Sequence, residues 1–205
     1  MGLAAGRLSV IYSLCFNVFS ESGDGMTSTL SFPVGQKGPY LSTRSTARAL
    51  REDLEKLIET SGDLAEVKID FSQVEAMTIS FADEFLGRFY SRMATGDFTV
   101  IVNLIGLNDE ETRETVSICL ERRDLVGVDA DQHQLLGKAE MLADTYQVAR
   151  ELGRFRATEL ASRLKITPQN VNNRLKKLVA AGALLRQRVT DLERGGKEFG
   201  YVVPT

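Results

Sequence analysis

Gln169, Asn170, Asn173, Lys176 and Lys177 crowd one short stretch, in which Val171, Leu175 and Leu178 recur at i, i+4 and i+7. On a helix that spacing sends the three apolar side chains inward and leaves an outer face of amides and ammonium groups. Asn and Gln can pair with adenine edges, and Lys with guanine or phosphate, so this face has the chemistry a major groove presents to a protein. Arg186, Arg188, Arg194 and Lys197 follow, and guanidinium and ammonium groups suit backbone phosphates. The chemistry is that of holding a polyanion, without any group placed to make or break a bond.

The surrounding residues define the elements that must position this face. Thr167 stands where its hydroxyl can cap a helix, and Pro168 follows at the first helical position, where a missing N–H costs nothing. Gly182 ends that helix. Residues 184–189 and 197–203 then alternate as two strands around a turn that contains Gly195-Gly196, and residues 158–164 form a helix before the Pro168 turn.

This layout resembles a winged helix-turn-helix over residues 138–205, and the resemblance implies double-stranded DNA as partner. The expected contacts are Thr167, Gln169, Asn170, Asn173, Lys176 and Lys177 from the second helix, with Arg186, Arg188 and Arg194 from the wing. Residues 138–152 are expected to form the first helix of this domain. There Met141, Leu142, Tyr146, Val148 and Ala149 can pack on Leu160 and Leu164, or the helix can bridge a homodimer. A compact helical domain with a solvated basic face, and a winged domain that binds only protein, are the alternatives.

Charge divides the chain in the same place. Residues 154–205 hold 11 Lys or Arg and 4 Asp or Glu, a net of +7, whereas residues 1–153 hold 14 and 24, a net of −10. The whole-chain value of −3 conceals the contrast. A basic tail attracts a duplex through counterion release and an acidic body repels it, so the two parts should face different partners. The chain has 205 residues, 43% of them hydrophobic and 26% charged. That length suffices for two small domains, and the composition is ordinary for a soluble protein. Cys15 and Cys119 form no metal or disulfide spacing, a pattern suited to a reducing cytoplasm. The apolar run from Leu8 to Phe19 has the length of a signal-peptide core but no small-x-small cleavage site. Residues 1–28 are therefore expected to be a poorly specified, disordered N-terminal extension, with Met26 as an alternative start, and no membrane span is expected.

From Thr29 to Leu125 strand and helix patterns alternate. Leu30, Phe32 and Val34 alternate; residues 45–60 are amphipathic through Ala47, Leu50, Leu54 and Leu57; Val67, Ile69 and Phe71 alternate again. Residues 80–93 form a helix that Ser80 is expected to cap with Asp83 reciprocating, residues 98–104 form a strand more apolar than the one before it and therefore central, and a last helix runs from Asn108 or Asp109 to Arg122. The succession implies a small α/β domain with partly parallel strands and helices covering the sheet.

The stretch from Ile69 to Phe85, in which an Asp-bearing strand leads to a Ser-started helix, is similar to the STAS-like family, distant relatives of sulfate-transporter and anti-sigma-factor-antagonist domains. The resemblance spans residues 29–125 and places Ser80 where the antagonists are phosphorylated by an ATPase-type kinase. Thr78-Ile79-Ser80-Phe81 replaces the antagonists' usual Asp-Ser-Ser-Gly, and a plain capping role for Ser80 stands beside phosphorylation. Asp70, Asp83 and Glu84 are carboxylates near a strand end and a helix start that could bind a metal or act as acid and base, but Asp83 and Glu84 point in different directions and are expected to satisfy the positive end of the helix; His133 is expected to lie in a linker over residues 126–137. With no nucleophile beside a base, no glycine-rich phosphate loop and no metal spacing, neither catalysis, metal nor cofactor is expected. The sequence points to a DNA-binding transcriptional regulator whose STAS-like domain senses a regulatory protein. The alternative is a partner-switching adaptor whose winged domain binds protein.

Overall fold

Alternation over residues 30–34 and 67–71 sends every second side chain to one side of an extended chain. In the computed structural model, which describes residues 17–20, 27–62, 64–190 and 197–203, Leu30, Phe32, Val34, Val67, Ile69 and Phe71 are all buried. The strands, in chain order, are β1 (Asn17–Ser20), β2 (Thr27–Pro33), β3 (Tyr40–Leu41), β4 (Leu64–Asp70), β5 (Ala76–Met77) and β6 (Ile101–Ile105). They continue with β7 (Val126–Asp129), β8 (Gln134–Gly137), β9 (Arg154–Arg156), β10 (Leu185–Thr190) and β11 (Lys197–Val202). The larger sheet has the order β1-β2-β4-β6-β7-β8, with β2, β4, β6 and β7 parallel and an antiparallel strand at each edge. β3 and β5 make a two-residue parallel pair of their own.

Three helices pack on one face of this sheet. Helix α1 (Arg44–Thr60) starts at Thr43, whose hydroxyl accepts from Thr46 N, and buries Ala47, Leu50, Leu54 and Leu57. Helix α2 covers residues 79–95 and contains a π-helical turn over Asp83–Gly87. Helix α3 (Glu110–Glu121) is capped by Asp109. Phe81, Phe85 and Phe89 of α2 fill the centre of the core. The Phe85 ring lies 6.3 Å from that of Phe32 and 6.0 Å from that of Phe81, separations at which aromatic pairs attract. Ser31, Lys68 and Asn103, in register on β2, β4 and β6, point to the other face and stay half-exposed.

The C-terminal region adds α4 (Ala143–Leu152), α5 (Ala157–Leu164) and α6 (Pro168–Ala180) around a second core that includes Tyr146, Leu160, Val171, Leu175 and Leu178. β10, β11 and β9 form a three-stranded antiparallel sheet beside them. Val126 and Val128 of β7 belong to this second core while Leu136 of β8 belongs to the first, so one hairpin walls both.

Several expectations need correction. Residues 126–137, expected as a linker, are the β7–β8 hairpin, and His133 sits in its turn with φ 55°. The runs around Val126 and Leu136 are too short to carry a period, so only the polar turn between them is visible in the sequence. Residues 17–20, expected within a disordered extension, pair with residues 27–30 as an edge strand, which uses hydrogen bonds a local hydropathy pattern does not reveal. The helix expected from residue 138 begins at Ala143, which leaves Met141 72% exposed rather than packed. β9 carries no sequence signal, because three residues show no alternation. Among the described residues, no helix is long and apolar enough to cross a membrane.

Candidate nucleic-acid interface

Helix α6 is set by local chemistry. Thr167 caps it, its hydroxyl accepting from Asn170 N at 3.3 Å. Pro168 occupies the first turn, and Gly182 with φ +69° lets the chain leave. Val171, Leu175 and Leu178 are fully buried, which anchors one side of the helix and turns Gln169, Asn170, Asn173, Lys176 and Lys177 outward, all exposed. Asn170 is partly committed, because its side-chain carbonyl accepts from Arg174 Nε at 3.0 Å while Arg174 also donates to Thr145 Oγ1 at 2.9 Å. Among the described residues nothing bonds its amide N–H₂ or the side chain of Asn173.

The β10–β11 hairpin stands next to α6, with Arg186 and Arg188 exposed on β10. The Arg186 guanidinium lies 3.6 Å from the centroid of the Phe199 ring, an orientation held by cation–π attraction. Arg186 and Lys176 also flank a groove between α6 and the hairpin, lined by Asn172, Val179 and Tyr201. Arg194 and the Gly-Gly turn lie outside the described residues.

The α/β region presents a different electrostatic object. Glu84, 4% exposed, lies in the π-helical turn and is held by Arg48 at 3.3 Å, Arg51 at 3.7 Å and Arg88 at 2.8 Å. The carbonyl of Glu84 accepts from Arg51 Nε at 3.2 Å, so α1 reads both backbone and side chain of the turn. Burial alone would raise the Glu84 carboxyl, but the arginines beside it, Arg48 and Arg88 above all, hold it below its ordinary value of 4.5. Asp83 accepts from Arg123 Nε at 2.6 Å and Nη2 at 3.0 Å, and this bidentate bond lowers its carboxyl too. Gly87 makes room for that pair, since a Cβ there would come within 2.7 Å of Arg123 Nε. Asp83 and Glu84, expected to satisfy the positive end of the helix, are held instead by arginines up to 40 residues away.

Ser80 does not cap α2. Thr78 does, accepting from Phe81 N at 3.3 Å and donating to Ser42 O at 3.1 Å, which ties the start of α2 to the start of α1. Both positions carry a hydroxyl, and the sequence alone favours the one nearer the apolar run. Ser80 is exposed in the first helical turn. Asp70 accepts from Ser72 N at 2.8 Å, a local turn bond. Burial pushes the Cys119 thiol up to about 11, far from a reactive thiolate. Among the described residues no group of three or more His, Cys, Asp or Glu could hold a metal ion.

No curated protein and no solved structure matches the chain. Residues 46–112, which run from α1 through β4, α2 and β6 into the start of α3, match the family model described as a STAS-like domain of unknown function (DUF4325).

Proposed function

We propose that this chain is a DNA-binding regulatory protein. Its C-terminal region acts as a winged helix-turn-helix with α6 in the major groove, and its STAS-like region receives a signal through protein contact. The observation that supports this most is the outer face of α6, where Gln169 and Asn173 are exposed on a helix fixed from behind by three fully buried side chains. Rigid anchoring with free amides outward is what direct base readout requires. The hairpin beside it offers Arg188 for phosphate contact, and Arg186 stands ready at the groove. Catalysis forms no part of the proposed role, since no nucleophile is paired with a base among the described residues.

Selection of bound duplexes from a random pool by the full chain tests the proposal. Enrichment of a short motif whose recovery collapses in Asn173→Ala is expected, and an unenriched pool would contradict it.

A second function, that of a partner-switching adaptor, draws on Ser80, which is exposed at the corner where α1 and α2 begin. A phosphate there would add nearly two negative charges to a docking surface. Under this alternative an ATPase-type kinase is the partner, Ser80 recovered from the host carries phosphate, and the random duplex pool stays flat.

A further inference from the structure

Ala180 sits seven residues beyond Asn173 and eleven beyond Gln169, a spacing that returns to the same outer side of α6. A residue there on an isolated C-terminal domain would face solvent, yet Ala180 is half-buried. What lies against it is the end of α2. Ala94 and Ala180 together line two crevices, one of about 100 Å³ shared with Tyr90 and Lys177, the other shared with Gly96 and Lys176.

The contact is anchored one turn further on. β6 pairs with β7 only from Leu104, so its first residues have an open edge, and the turn after α6 fills it: Val102 N–H donates to Gly182 O at 3.0 Å. Gly182 fits because it has no Cβ, which would come within 2.9 Å of Val102 N. Open strand edges favour pairing, so this seam holds the two regions together.

We infer that α2 is an internal cover on the DNA-reading face of α6, and that the closed arrangement is autoinhibited. The inference rests on the DNA-binding function proposed above. Helix α6 is about 20 Å long at about 1.5 Å per residue. Its first two turns, with Gln169, Asn170 and Asn173, are open, whereas at its end Ala180 is half-buried and faces residues 93–96 across the two crevices, with Lys176 and Lys177 exposed on either side. A duplex lying along the whole outer face would fill the space that α2 fills. Full engagement therefore requires α2 to lift from Ala180, and a molecule bound to the STAS-like region regulates DNA affinity by shifting that equilibrium.

Two wedges test this in the full chain. Ala94→Trp enters the smaller crevice, and Thr99→Trp, at an exposed position, enters the other; neither residue belongs to the DNA-reading set. Amide exchange at Val102 reports opening, and duplex binding reports function. The expected result is faster exchange at Val102 together with at least about a ten-fold gain in affinity, equivalent to about 1.4 kcal/mol. Faster exchange with unchanged affinity would overturn the cover while leaving DNA binding intact. Unchanged exchange in both wedges would overturn it as well, because α2 would not then press on α6. Faster exchange with no duplex binding by any variant would remove the DNA-binding function and the cover with it.

Discussion

Arg51 in α1 and Lys177 in α6 carry the same charge into opposite circumstances. Arg51 has a side chain only 14% exposed and reaches Glu55 at 3.1 Å, Glu84 at 3.7 Å and Glu52 at 3.9 Å. Lys177 is exposed and has no carboxylate partner among the described residues, and the same holds for Lys165, Lys176 and Arg188. In the α/β region six arginines are tied to carboxylates across α1, α2, α3 and β7, a lattice that fixes the helices on the sheet. Around α6 these basic side chains point outward without a carboxylate. A positive charge is structural where a carboxylate has been folded against it and available for a partner where none has, and residue counts alone do not tell the two apart.

The largest effects belong to the two cores. Both Phe85 and Leu175 are fully buried. Phe85→Ala should cost about 4 kcal/mol and Leu175→Ala about 3 kcal/mol, measured by denaturant unfolding. Because the β7–β8 hairpin walls both cores, each variant should unfold in a single transition by every probe. Two separated transitions would show that the regions are independent.

Next comes the lattice. Glu84→Ala leaves Arg51 with a lost partner in a poorly hydrated place and should cost about 3 kcal/mol at neutral pH. The sign of its pH dependence follows from the lowered carboxyl. The stabilisation by Glu84 is complete above its ordinary value of 4.5 and fades as pH falls through the lower folded value, so wild type and variant should converge in acid. A gap that widens below pH 4.5 would contradict the ion-pair assignment.

Thr167→Ala acts on the start of α6. Loss of the cap should destabilise by about 1 kcal/mol, and Thr167→Asn should restore most of it. The smallest stability effect belongs to Arg188→Ala, within about 0.5 kcal/mol, because no carboxylate in the described fold uses its charge. Its effect should fall on binding, as a uniform loss across sequences and a salt slope reduced by about 1.

Much of this architecture is legible in the sequence. The alternation of Leu30, Phe32 and Val34 and the cap-and-proline start at Thr167-Pro168 are local signals, and they describe local structure correctly. The mixed α/β sheet followed from the order of such segments. What escaped was long-range. Glu84 meets Arg48 across 36 residues, and a Cβ at Gly87 would run into Arg123, which lies 36 residues further on. Asn173 and Lys177 look alike as outward polar positions on one helix, and only the structure places Lys177, still exposed, at a crevice that Ala94 and Ala180 line.

The most direct measurement is the affinity of the full chain for random-sequence duplex DNA across a range of salt concentrations. Unpaired charges on α6 and the hairpin predict binding at low salt that weakens steeply, with a slope of about −0.9 for each phosphate neutralised. Absence of duplex binding at low salt, or binding indifferent to salt, would contradict the claim that these side chains are held free for a nucleic acid.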